Sequence, residues 1–223
     1  MKKLVALIVT LVSVVATMAQ TFDVPEGCTQ AVVVKPTTGN GCRVYMVCYD
    51  GQKWSGDSVE GVTGYGGIAP IGTKREGDGK SPEGVYPLRR GLCAVKDFDT
   101  QFPMELYDVD DMWSEDVDSP HYNTLVRNPL PTMKGDRLWQ RHDTQYRYIV
   151  VVEYNTSPVV RGAGSAIFIH AWRAERKPTA GCIGMAERDV KRLVEWLDPS
   201  LNPHIVILSQ DDMTEKIEND NIN

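Results

Sequence analysis

An apolar run, Ala166-Ile167-Phe168-Ile169, ends in His170, and Cys182 follows twelve residues later between Gly181 and Ile183. A thiol that attacks as its thiolate, and an imidazole that takes the thiol proton, are the two groups that nucleophilic acyl transfer needs. Gly181 would leave backbone room beside the sulfur and let amide N–H groups face a developing oxyanion. A helix beginning near Ala186 would aim its amide dipoles back at Cys182 and favour negative charge there. Taken singly, each residue also fits a structural role: a histidine closing a strand, and a cysteine buried among apolar neighbours. Residues 171 to 180 are polar enough to form a loop that closes a pocket.

The elements that must position this pair are mostly strands. Gln30–Val34 and Arg43–Cys48 flank the turn-forming cluster Thr37–Gly41, which predicts a hairpin. Asp50-Gly51 marks another turn, and Ile68–Gly84 is a glycine-rich, charged loop. Gly84–Leu88 is expected as a short edge-type strand tolerating Pro87. Residues 97 to 145, with four prolines and many aspartates, form a long irregular excursion expected to pack over the domain. Tyr146–Tyr154, Ala166–His170 and His204–Leu208 read as strands. Val190, Leu193, Val194 and Leu197 repeat at helical spacing within Ala186–Leu197, and Pro199 stops that helix. The fold class is therefore mainly β with one or two helices, in one domain over 20–210, followed by a polar, disordered tail over 211–223.

Lys2 and Lys3 precede an apolar stretch, Leu4 to Val15, and Thr17-Met18-Ala19 supplies small residues for cleavage. Residues 1–19 read as a signal peptide, with an uncleaved membrane anchor as the alternative. The expected location is the periplasm or cell envelope, with no membrane association after cleavage. Without Lys2 and Lys3 the 24 basic side chains fall to 22 against 30 acidic ones, a net charge of −8. Such a surface does not attract nucleic acid. Five cysteines in an oxidising compartment leave one thiol over. Cys28, Cys42, Cys48 and Cys93 could form up to two disulfides, with Cys28 brought near Cys48 by the hairpin, or could stay reduced and buried. Either way Cys182 has no evident partner. His121, His142, His170 and Cys182 lack the short-range spacing of a zinc site, and Glu76, Asp78 and Glu83 match no calcium loop, so neither metal nor cofactor is expected.

The order strand–His–loop–Thr179-Ala180-Gly181-Cys182–helix resembles the YkuD-type L,D-transpeptidase catalytic domain. The likeness extends to Lys74–Gly84, to Tyr122-Asn123 and to the Tyr148–Tyr154 strand, and covers roughly residues 29 to 208. The resemblance implies a β-sandwich catalytic domain with Cys182 as nucleophile and His170 as general base. It further implies that the Ala171 carbonyl orients the imidazole, and that the Gly181 and Cys182 amides receive the oxyanion. The substrate class it implies is peptidoglycan stem peptides. Cys182 would attack the carbonyl joining a diamino acid's L-centre to D-alanine, D-alanine would leave, and an amine would resolve the thioester. Water resolving it would make the chain a carboxypeptidase, and a pocket kept without the chemistry would make it a cell-wall binding module. Trp172, Arg173, Thr179, Tyr122, Asn123 and His142 are the further candidates for contact with substrate. Two positions depart from the family pattern: Ala180 where many members carry histidine, and Gly184 where many carry arginine. If that arginine holds a substrate carboxylate, Arg173 or Arg176 on the closing loop would have to replace it here. Oligomeric state is left open by the sequence.

Overall fold

The computed structural model describes residues 22–138 and 144–209 together with the strand Ala16–Met18. The rest of the leader, His142 and the tail from 210 onward lie outside the described residues. In chain order the strands are β1 (Ala16–Met18), β2 (Gln30–Pro36), β3 (Gly41–Tyr49), β4 (Trp54–Val62), β5 (Ile68–Ala69), β6 (Ser81–Pro82) and β7 (Gly84–Cys93). There follow β8 (Met104–Leu106), β9 (Met112–Ser114), β10 (Leu125–Val126), β11 (Gly135–Arg137), β12 (Tyr148–Val152), β13 (Phe168–Ala171), β14 (Ile183–Met185) and β15 (His204–Ile207). The α-helix, α1, spans Glu187–Trp196 between β14 and β15.

The main sheet runs β4-β14-β13-β12-β7-β15-β2-β3, and β4 also pairs with β3, so the sheet closes on itself. Its two curved halves face each other across one interior core, the sandwich-like, mainly β architecture expected from the sequence. Alternation along each strand sends one set of side chains inward: Val32 and Val34, Val44 and Met46, Val150 and Val152, Ile169, Ile183, Ile205 and Ile207. The apolar stripe of α1, Val190, Leu193 and Val194, packs onto the same core. No described helix is long and apolar enough to cross a membrane.

The expected β2–β3 hairpin forms, with Gln30 opposite Cys48. Gly84–Leu88, however, is not an edge. β7 runs on to Cys93 and lies between β12 and β15. Pro87 lies one residue beyond the last β12 pair, Val152 with Leu88, and opposite His204 of β15. The Pro87 carbonyl still accepts from the Glu153 amide at 3.1 Å.

Of the two alternatives left open for Cys28, Cys42, Cys48 and Cys93, the structure has the reduced one: all five cysteines are free thiols. Alternation in β3 puts Cys48 on the same side as Cys42, Val44 and Met46, whereas Cys28 packs with Phe22, Trp54 and Val206 on the opposite face. A bond between them would have to pass through the sheet.

Candidate active site

β13 and β14 lie side by side and parallel, with Ile169 opposite Ile183 and His170 opposite Gly184. Because Ile169 and Ile183 point into the interior core, Phe168, His170 and Cys182 fall on the outer face. Parallel pairing therefore converts a twelve-residue separation into a shared surface. The excursion covers that surface with Tyr107, Trp113 and Leu138, which pack with Phe168, Ile149, Val151 and Cys182. Trp113 meets Phe168 edge-on at 5.0 Å between ring centroids. Within the excursion, β10, β9 and β11 form a small three-stranded sheet.

A cleft of about 590 Å³ opens between this cover and the strands. His170 and Cys182 both line it, as do Lys74, Glu76 and Gly79 from the glycine-rich loop. Glu115 and Asp136 come from the excursion, and Arg173, Lys177 and Thr179 from the closing loop. The volume suits a peptide segment, and the walls carry both signs of charge. No three His, Cys, Asp or Glu side chains are grouped to hold a metal among the described residues.

His170 is 1% exposed, and its Nδ1 lies 2.7 Å from the Ala171 carbonyl oxygen. A carbonyl can only accept, so Nδ1 carries the proton and Nε2 is left basic. Tyr146 packs edge-on against the imidazole, with centroids 5.0 Å apart. The Cys182 sulfur receives the Phe168 amide N–H at 3.3 Å and donates to the Ala166 carbonyl at 3.1 Å.

Burial pushes the Cys182 thiol up to about 12; the Phe168 amide and Lys74 act against that, while Asp136 and Glu115 add to it. The resting group is thus a thiol. The expected helix dipole does not offset this burial, since β14 separates Cys182 from α1 by three extended residues.

The turn that carries the sulfur is bracketed by Thr179. Its Oγ1 donates to the Cys182 carbonyl at 2.6 Å and accepts the Gly181 N–H at 3.1 Å. Ser81 Oγ adds a longer bond to the same carbonyl, 3.4 Å. Gly181 has φ +143°, and a Cβ there would sit 2.9 Å from the Lys80 carbonyl oxygen, so both conformation and space require glycine. Because the Gly181 amide is held by Thr179, it must exchange partners before it can serve an oxyanion.

The remaining sequence candidates separate by position. Arg173 lines the cleft, whereas Arg176 pairs with Glu60 and faces a different groove. Trp172 is half-buried and donates its backbone N–H to Met185 without lining the cleft. Asn123 supports rather than lines the site. Its Oδ1 accepts from Trp113 Nε1 at 2.9 Å and from the Ala166 amide at 3.0 Å, fixing the residue whose carbonyl accepts the thiol hydrogen bond. Tyr122 donates to Glu76 and accepts the Gly164 N–H at 3.1 Å, bracing the approach to β13. At Gly184 any side chain would begin 2.9 Å from Val62 Cγ2 and 3.2 Å from Thr179 Cγ2, so this position has no room for an arginine as the chain is packed.

Sequence reading did not single out Glu115 or Asp136, which come from the irregular excursion, or Tyr146, which was read as the start of a strand and lies in the 3-10 turn that precedes β12. Lys74 and Glu76 fell within the charged segment noted for its resemblance, without roles assigned to them.

The family model for the L,D-transpeptidase catalytic domain, YkuD, matches residues 31–207. No curated protein and no solved structure matches the chain.

Proposed function

The chain belongs to the L,D-transpeptidase catalytic-domain family, and on that premise we propose that it is an exported cysteine acyltransferase acting on peptidoglycan stem peptides. The observation that carries this reading is the arrangement in one cleft of a thiol bound to the Ala166 carbonyl and an imidazole fixed through Nδ1 on Ala171. With the thiol protonated at rest, attack requires proton transfer to His170 Nε2 as the sulfur–carbon bond forms. The bond to D-alanine then breaks, and the imidazolium returns the proton to the departing amine. A thioester on Cys182 remains. An amine from a second stem attacks it, gives its proton to His170, and expels the thiolate, which takes that proton back from the imidazolium. Export is supported by the basic and apolar leader.

The test is D-alanine release from tetrapeptide-bearing muropeptides. Release by the wild type and none by Cys182→Ala is expected; release untouched by the substitution would overturn the reading. Added amine acceptors yield cross-linked product if the thioester is transferred, and free tripeptide alone identifies a hydrolase.

A further inference from the structure

Among the described residues three cations line the cleft, and they are not equivalent. Arg173 and Lys177 are exposed on the closing loop, whereas Lys74 is 4% exposed and still forms part of the cleft wall. A buried ammonium is costly unless its donors are matched. Lys74 Nζ has two partners, Asp78 Oδ1 at 2.7 Å and the Arg75 carbonyl at 2.9 Å. An ammonium has three N–H groups, so one donor is left for an occupant of the cleft. Asp78 is itself shared, accepting the Arg75 amide at 2.8 Å and the Lys80 amide at 2.9 Å.

The side chain is also held in place. Its stem lies against Gly164, where a Cβ would meet Lys74 Cγ at 3.1 Å and both Cε and Nζ at 3.2 Å. Gly164 precedes by two residues Ala166, whose carbonyl receives the Cys182 S–H. Two residues of chain span at most about 7 Å, so the ammonium sits on the order of 10 Å from the sulfur. Less the length of a hydrogen bond to the ammonium, that leaves roughly 7 Å, about two residue lengths, to the carbonyl under attack.

We propose that Lys74 is a substrate-binding residue that takes a carboxylate of the donor stem peptide, an inference that rests on the reading of Cys182 as the acylated nucleophile. Two carboxylates of the donor lie within that reach: the C-terminal one of the departing D-alanine, and the one ending the diamino acid's side chain. A charged hydrogen bond in the cleft makes Lys74 a filter for donors bearing a free acid at that point.

The experiment measures the rate of acyl-enzyme formation by intact mass with three tetrapeptide donors. One has both carboxylates free, one has a C-terminal amide, and one has the side-chain carboxylate amidated. The wild type is expected to acylate about ten- to a hundredfold more slowly with one of the two amides, which identifies the carboxylate held. Lys74→Met is expected to slow the free-acid donor by a similar factor and to react with that amide at an equal rate. Comparing variants cancels any intrinsic difference between leaving groups. Lys74→Arg is expected to keep the discrimination. Because Lys74→Met leaves Asp78 unpaired, Lys74→Met/Asp78→Asn, checked by its melting temperature, must give the same rate pattern. Equal rates for all three donors in the wild type, or discrimination surviving in both Met variants, overturns the role of Lys74 while leaving acylation of Cys182 standing. No adduct with any donor overturns the acyltransferase reading itself.

Discussion

Replacing Thr179 by valine removes one hydroxyl and nearly nothing else, yet the structure gives that hydroxyl two partners across the nucleophile turn. Gly181 is buried, so its N–H would lose its acceptor without gaining water, a cost of about 1–3 kcal/mol. The Cys182 carbonyl would keep only the 3.4 Å bond from Ser81 and lose its 2.6 Å partner, roughly another 1 kcal/mol. A methyl in place of the hydroxyl returns a few tenths of a kcal/mol through apolar burial. The net expectation is a destabilisation of about 2–3 kcal/mol, which for a domain of this size lowers Tm by roughly 4–10 °C. Acyl-enzyme formation is expected to slow by about a hundredfold as the sulfur loses its fixed position. Thr179→Ser retains both bonds and is expected to stay close to the wild type in both respects. Calorimetry of the three proteins, with intact mass against a donor peptide, reads both effects. A valine variant melting within 1 °C of the wild type and acylating as fast would refute the bracket.

Other consequences can be checked as directly. Asn123→Ala orphans the Trp113 indole N–H and the Ala166 amide together, so denaturant titration is expected to show a loss of about 2–4 kcal/mol, whereas a change under 0.5 kcal/mol would contradict it. Burial pushes Cys42 and Cys182 up to about 12 and Cys93 to about 11, from 9.0. The folded chain therefore holds protons that the unfolded chain releases, and stability is expected to fall as pH rises from about 9 towards 12; a flat profile to pH 11 would refute this. All five cysteines are expected to react with a thiol reagent in denaturant without reductant, and a stoichiometry of three or one would reveal disulfides.

The parts of this fold that were legible in the sequence are those with a local signal. The β2–β3 hairpin had its turn residues, and α1 had its apolar stripe, found one residue shorter at each end than expected. Strand β4 was illegible, because Trp54–Val62 is rich in glycine, serine and acids and carries no apolar alternation. It forms because β3 supplies its ladder, and it curves closely over β3 at Gly56, where a Cβ would meet the Met46 carbonyl oxygen at 1.9 Å. That strand closes the sheet, so closure itself could not be read in advance. Pro87 misled in the other direction, since a proline suggests an edge, whereas the strands that enclose it, β12 and β15, are distant in sequence.

The candidate site divides in the same way. His170 and Cys182 were found from residue type and flanking elements, and the structure adds what spacing cannot contain: parallel pairing places them on one face. The support from Asn123 and the bracket by Thr179 depend on backbone groups rather than on side-chain pattern. The cleft wall from the excursion was invisible for a different reason. Its strands are two or three residues long and are held by pairing with one another and by Trp113 against Phe168.

The central claim is that Cys182 is the group acylated, with His170 Nε2 taking its proton. Intact mass after mixing the protein with a tetrapeptide donor tests it in one step. The wild type is expected to gain the mass of the donor less D-alanine on Cys182, and Cys182→Ala to gain nothing. An unmodified wild type, or the same adduct on the alanine variant, would contradict the account.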